Sequence, residues 1–174
     1  RDSTDRRINK PKIHTQPTFP GYQTTQEQIP SGAILYFDSA VLTIKFYTNS
    51  LVSISWEPGI APIPYTIANH KWDEVNLSHD YDGRSYSISS ESLRLAVGCD
   101  GAIQYYTPNN AVLRTDLPPK IIGNSWQAIT QLRHDEHIYG LGERTAPLNL
   151  IGSCFSSWNT DPGGSYSSGK DPIY

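Results

Sequence analysis

Leu93-Arg94-Leu95-Ala96-Val97-Gly98-Cys99-Asp100-Gly101-Ala102-Ile103-Gln104-Tyr105-Tyr106 is the stretch on which the fold turns. Leu93, Leu95 and Val97 alternate with Arg94 and Ala96, and Ile103 and Tyr105 alternate with Gln104 and Tyr106. Successive side chains on a strand point to opposite faces, so a period of two marks a strand half buried against a core. Asp100-Gly101 between the two runs is a turn signal, and the whole stretch reads as an antiparallel hairpin.

Outward from this hairpin the same pattern recurs. Leu42, Ile44 and Phe46 fall on one face of 40–47, with Thr43, Lys45 and Tyr47 on the other; Val52, Ile54 and Trp56 alternate with Ser53 and Ser55. Further strands are predicted over 34–37, 65–68, 86–89, 112–114, 126–132, 138–141 and 154–158. Turn residues separate the runs: Pro58-Gly59, Asp82-Gly83, Pro108-Asn109-Asn110 and Pro118-Pro119. No stretch carries a capped amphipathic-helix pattern, and no repeat recurs at a fixed period. Many short antiparallel strands with turns between them predict an all-β, two-sheet β-sandwich.

Composition narrows the function. The chain has 174 residues, enough to bury about 70% of the surface its unfolded form exposes, so neither disulfides nor metals are required to hold it together. Fourteen Lys and Arg against 17 Asp and Glu give a net charge of −3, which argues against nucleic acid as a partner. No apolar run approaches the ~20 residues of a membrane-crossing helix, so no membrane partner is expected. Residues 1–31 are polar, broken by Pro11, Pro17, Pro20 and Pro30, and read as an extended lead-in segment; the sandwich is expected over 32–174. The sequence contains no Met and stops at Tyr174 after a Gly/Ser/Pro-rich stretch, so it is expected to be a piece of a longer protein. Cys99 and Cys154 are expected as free thiols, Cys154 within the core. Asn76-Leu77-Ser78 fits a glycosylation acceptor, a three-residue pattern that recurs by chance.

Three polar stretches invite a chemical reading. In His134-Asp135-Glu136-His137 a strand would send His134 and Glu136 one way and Asp135 and His137 the other, which suits a charged turn leading into a strand better than a metal cage. Gly140-Leu141-Gly142-Glu143-Arg144-Thr145 lacks a third glycine, and Pro147 discourages the helix that a phosphate-cradling loop needs. Its glycines are expected to serve a kink or close backbone packing. Trp158-Asn159-Thr160-Asp161-Pro162-Gly163-Gly164 combines an aromatic face with amide, hydroxyl and carboxylate groups, a set that suits sugars. No Ser–His–Asp or Cys–His arrangement stands out, and no catalytic residue, metal or cofactor is expected in this chain.

Several of these stretches together resemble glycoside hydrolase family 31, the α-glucosidase family. Glu136-His137-Ile138-Tyr139-Gly140-Leu141-Gly142-Glu143-Arg144, then Pro147-Leu148-Asn149-Leu150-Ile151-Gly152, then Trp158-Asn159-Thr160-Asp161, then Asp171-Pro172-Ile173-Tyr174 follow the family's motifs in order. The resemblance implies a galactose-mutarotase-like β-sandwich that precedes a catalytic (β/α)8 barrel in the same parent chain. Family members are retaining enzymes whose two carboxylates, about 5–5.5 Å apart, both come from the barrel. By resemblance, Asp161 binds substrate hydroxyls from a loop reaching over the barrel mouth, while Trp158, Asn159 and Thr160 shape that loop or touch the sugar. Gly140, Gly142, Glu143 and Arg144 would be structural. The expected function is thus a non-catalytic N-terminal domain of an α-glucosidase-type enzyme acting on α-linked glucosides or oligosaccharides. The alternative is a free-standing carbohydrate-binding module with Trp158 and Tyr166 as its platform.

Overall fold

A computed structural model describes residues 16–58, 69, 71–122, 125–141 and 146–155. It falls into two compact units, 1–131 and 132–174. All twelve strands among the described residues belong to the first: β1 (Gln23–Ile29), β2 (Gly32–Phe37), β3 (Val41–Phe46), β4 (Val52–Glu57), β5 (Ser78–Tyr81), β6 (Ser85–Ser89), β7 (Arg94–Gly98), β8 (Ile103–Tyr106), β9 (Val112–Asp116), β10 (Lys120–Ile122), β11 (Ser125–Gln127) and β12 (Thr130–Gln131). Every pairing is antiparallel. One sheet runs β1-β2-β3-β4, a second runs β12-β9-β8-β7-β6-β5, and β10-β11 form a short ribbon.

The hairpin read first from the sequence is β7–β8, with Leu95 opposite Tyr105 and Val97 opposite Ile103. Gly101 sits at its tip with φ +88°, where an added Cβ would stand 3.0 Å from the Trp56 ring. The turn therefore needs glycine both for its left-handed backbone and for the close approach of that indole. At the β5–β6 turn the Asp82 carboxylate accepts the Arg84 and Ser85 amides at 2.8 and 2.7 Å. Those amides hold its pKa below the ordinary carboxylate value.

The period of two places the core correctly. Leu35 from β2, Leu42, Ile44 and Phe46 from β3, Ile88 from β6, Leu95 and Val97 from β7 and Ile103 from β8 are buried in a single apolar cluster. Since the two sheets contribute to one cluster, the architecture is an all-β sandwich. A part-buried polar contact reaches its margin, where the hydroxyl of Tyr86, itself in the cluster, meets Nδ1 of the half-buried His79 at 2.7 Å.

Several elements depart from expectation. β1 lies inside the stretch read as a lead-in, and β5 was not signalled at all. Gln-Thr-Thr-Gln-Glu-Gln-Ile and Ser-His-Asp-Tyr are sheet edges, mostly exposed, so they lack the apolar alternation that marks a half-buried strand. The run 126–132 divides into β11 in the ribbon and β12 in the six-stranded sheet. Residues 138–141 and 154–155, read as strand, are irregular. The predicted strand at 65–68 lies outside the described residues.

Candidate functional site

The second unit carries the motif segments. Arg133–Glu136 form the expected charged turn: the Glu136 amide donates to the Arg133 carbonyl at 3.2 Å, and Glu136 Oε2 accepts from the Arg133 amide at 3.0 Å. The two side chains pair at 3.7 Å. No strand follows it, because the backbone turns instead. Gly140 has φ +115° with open space around the position of a Cβ, and Leu141 has φ 67°. Gly140 thus serves backbone conformation and not the close packing considered from sequence.

Asn149 ties two motif segments together. Its Nδ2 donates to His137 Nδ1 at 2.9 Å, and its Oδ1 accepts from the Ile138 and Ile151 amides, each at 3.3 Å. The Leu150 amide donates to the Ile138 carbonyl at 2.9 Å, and Leu150 is buried. Residues 136–141 and 147–152 are therefore neighbours, and one asparagine side chain serves both. Leu148, two residues before Leu150, is 83% exposed. Cys99 and Cys154 are free thiols; Cys154 is exposed and not in the core, because no strand forms at 154–155 to turn it inward. Trp158, Asn159, Thr160, Asp161 and Tyr166 lie outside the described residues, as do Gly142, Glu143, Arg144 and 171–174.

A second feature, in the first unit, had no marker in the sequence reading. Beyond the packed core, β4 and β8–β9 diverge and leave a cleft of about 1180 Å³, bounded by the β10–β11 ribbon. Trp56 and Trp126 stand on it with ring centroids 6.4 Å apart. Its polar side is a connected set. Arg114 Nε donates to Asp116 Oδ1 at 2.7 Å, Arg114 donates to Thr130 Oγ1 at 2.9 Å, and Thr130 Oγ1 donates to Asp116 Oδ1 at 2.7 Å. Burial, then the Asp116 charge, push the Tyr105 phenol pKa upward. The available signal was Arg114 and Asp116 two apart on one strand, hence on one face; which face that is depends on the register with β8.

The glycosyl hydrolase 31 N-terminal galactose mutarotase-like domain model matches residues 41–174. No curated protein sequence matches the chain significantly. Among solved structures, a family 31 dextranase from Flavobacterium johnsoniae complexed with isomaltotriose superposes with a TM-score of 0.73 at 21% identity, over 90% of this chain and 20% of the dextranase. The same dextranase complexed with glucose gives the same figures. The protein lmo2446 from Listeria monocytogenes EGD-e, in complex with glucose, magnesium and calcium, superposes with a TM-score of 0.64 at 13% identity, over 84% of this chain and 15% of its own. The chain thus spans about a fifth or less of the length of these structures.

Proposed function

This chain belongs to the glycosyl hydrolase 31 N-terminal galactose mutarotase-like domains, and from that premise we propose that it lends a substrate-binding loop to the active site of an α-glucosidase-type retaining enzyme. The observation that carries this reading is the extent of the family match, which runs through Trp158-Asn159-Thr160-Asp161 to residue 174. In this reading the catalytic carboxylates come from a (β/α)8 barrel of the same parent chain, and the sandwich supplies none. The barrel's active site opens at the C-terminal ends of its strands, the place where a loop from a neighbouring domain can reach the substrate.

The Asp161 carboxylate accepts hydrogen bonds from substrate hydroxyls, and Trp158, Asn159 and Thr160 shape the loop. Asn149 fits this role as a brace: it joins the segments at 136–141 and 147–152, only a few residues ahead of the loop. The substrate class is an α-linked glucoside or oligosaccharide, a reading supported by the isomaltotriose held by the dextranase of similar fold. The test is Asp161→Ala in the intact enzyme. Loss of a charge-assisted hydrogen bond lowers kcat/KM by ~10- to 1,000-fold. Wild-type kinetics in that variant would remove Asp161 from the site.

A further inference from the structure

The cleft between β4 and β8–β9 is lined unlike the rest of the sandwich interior. Tyr105 pairs opposite Arg114, and both Ile103 and Thr130 pair opposite Asp116. Directly opposed residues in an antiparallel ladder share a face. Ile103 is a core residue, so Arg114, Asp116 and Thr130 stand on the inner side of their sheet. The open cleft leaves the Arg114 side chain largely exposed and covers more of Asp116, so the pair stays within reach of a solute. Here the three are joined in one hydrogen-bonded network, and Arg114 and Asp116 line open space together with Tyr105 and two indoles.

The lining selects a ligand chemistry. Arg114 and Asp116 cancel in charge, so the cleft offers little net attraction to an ion. Trp56 and Trp126 offer flat apolar surface, which suits the C–H face of a ring. Arg114 and Asp116 on the same lining offer donors and acceptors side by side, which suits vicinal hydroxyls. A purely apolar ligand would leave that network unused, and an anion would meet the negative faces of the indoles. The cleft is slightly larger than the ~300–1,000 Å³ of ordinary ligand pockets, a size for several rings and not one. We propose that this cleft is a saccharide-binding site, in which a neutral oligosaccharide lies against Trp56 and Trp126 and hydrogen-bonds Asp116 and Arg114, the pair that Thr130 holds in place. The proposal does not rest on the Asp161 loop, which is remote from it in sequence.

The experiment is a titration of the 174-residue chain with maltotriose and with isomaltotriose, read by calorimetry and by tryptophan fluorescence. Saturable millimolar binding is expected. It weakens by about tenfold or more in Trp126→Ala and in Asp116→Asn. Thr130→Val, at an exposed edge position that tolerates the change, weakens it several-fold and guards against loss of fold in the other two. Binding persists in Asp161→Ala, which separates this site from the loop. Absence of saturation up to about 50 mM overturns the proposal, as does binding that all three cleft variants leave unchanged. Tight uptake of the dye 1-anilinonaphthalene-8-sulfonate that neither sugar displaces would also overturn it, and would mark the cleft as an apolar docking surface.

Discussion

Ile44 and Ile54 sit directly opposite each other on β3 and β4 and face the same way. Ile44 is completely buried, while Ile54 is half-buried on the wall of the cleft. The two positions share residue type, sheet and face; they differ in that β3 is flanked on both sides while β4 is the sheet edge, and in what covers them. Over Ile44 the second sheet supplies Ile88, Leu95 and Val97 to a common cluster. Over Ile54 the sheets part and leave the cleft. Alternation along a strand thus marks the inward face without telling whether anything is packed on it.

The largest expected effect tests that difference. Ile44→Ala removes atoms from a closed core and is expected to cost about 2–5 kcal/mol. Ile54→Ala deletes the same atoms from a wall already half open and is expected to cost about 1 kcal/mol, the transfer contribution of partly buried methylenes. Urea denaturation of both variants gives the comparison directly. Equal losses would mean that the cleft is closed in solution and that Ile54 belongs to the core.

The same contrast bears on what the sequence could reveal. Leu95, Val97 and Ile103 were legible because one face of each strand is covered and the other is not. β1 and β5 were illegible because these two edge strands expose most of their residues and carry no apolar rhythm, unlike the partly covered edge strand β4. The sandwich could therefore be read wherever one face of a strand is covered, but not at its two exposed margins. The cleft failed for another reason. Arg114 and Asp116 share a face in any strand, but that face is inner only through the pairing of Ile103 with Asp116, a register that no single strand encodes. The role of Asn149 rests likewise on contacts across a loop, where no period exists. The family motifs at 136–141 and 147–152 were legible as words, and their meeting was not.

Gly101 gives the next largest effect and links the two halves of the interior. It closes the β7–β8 turn on the side of Trp56, one of the indoles on the cleft. Gly101→Ala is expected to cost about 1–2 kcal/mol from the left-handed backbone alone. The new methyl, 3.0 Å from the Trp56 ring, adds to this unless the ring moves. Gly83→Ala is the control, because its φ is +86° and nothing lies near the added methyl. If Gly101→Ala costs no more than Gly83→Ala while tryptophan fluorescence shifts, the ring has yielded and the cleft wall is soft. If it costs more with no spectral shift, the ring is held and the wall is rigid.

The smallest expected effect comes from the closed half, where a half-buried histidine meets a buried tyrosine. His79 Nδ1 and the Tyr86 hydroxyl meet at 2.7 Å, and Tyr86 is 2% exposed. Burial lowers the His79 pKa from its ordinary value near 6.5 and raises that of Tyr86. A neutral imidazole with its Nδ1 lone pair free accepts a hydrogen bond from the phenol O–H; a protonated ring can only donate. Since the folded pKa lies below the unfolded one, the unfolded chain binds a proton more readily as the medium acidifies. This contribution is favourable above pH 6.5 and is lost as pH falls through the lowered folded value. The urea midpoint of the wild-type chain should therefore decline between pH 7.5 and 5. His79→Gln, which keeps an acceptor but does not titrate, should decline less steeply over the same interval. Parallel slopes in the two proteins would place the acid sensitivity elsewhere and leave the His79–Tyr86 contact as packing alone.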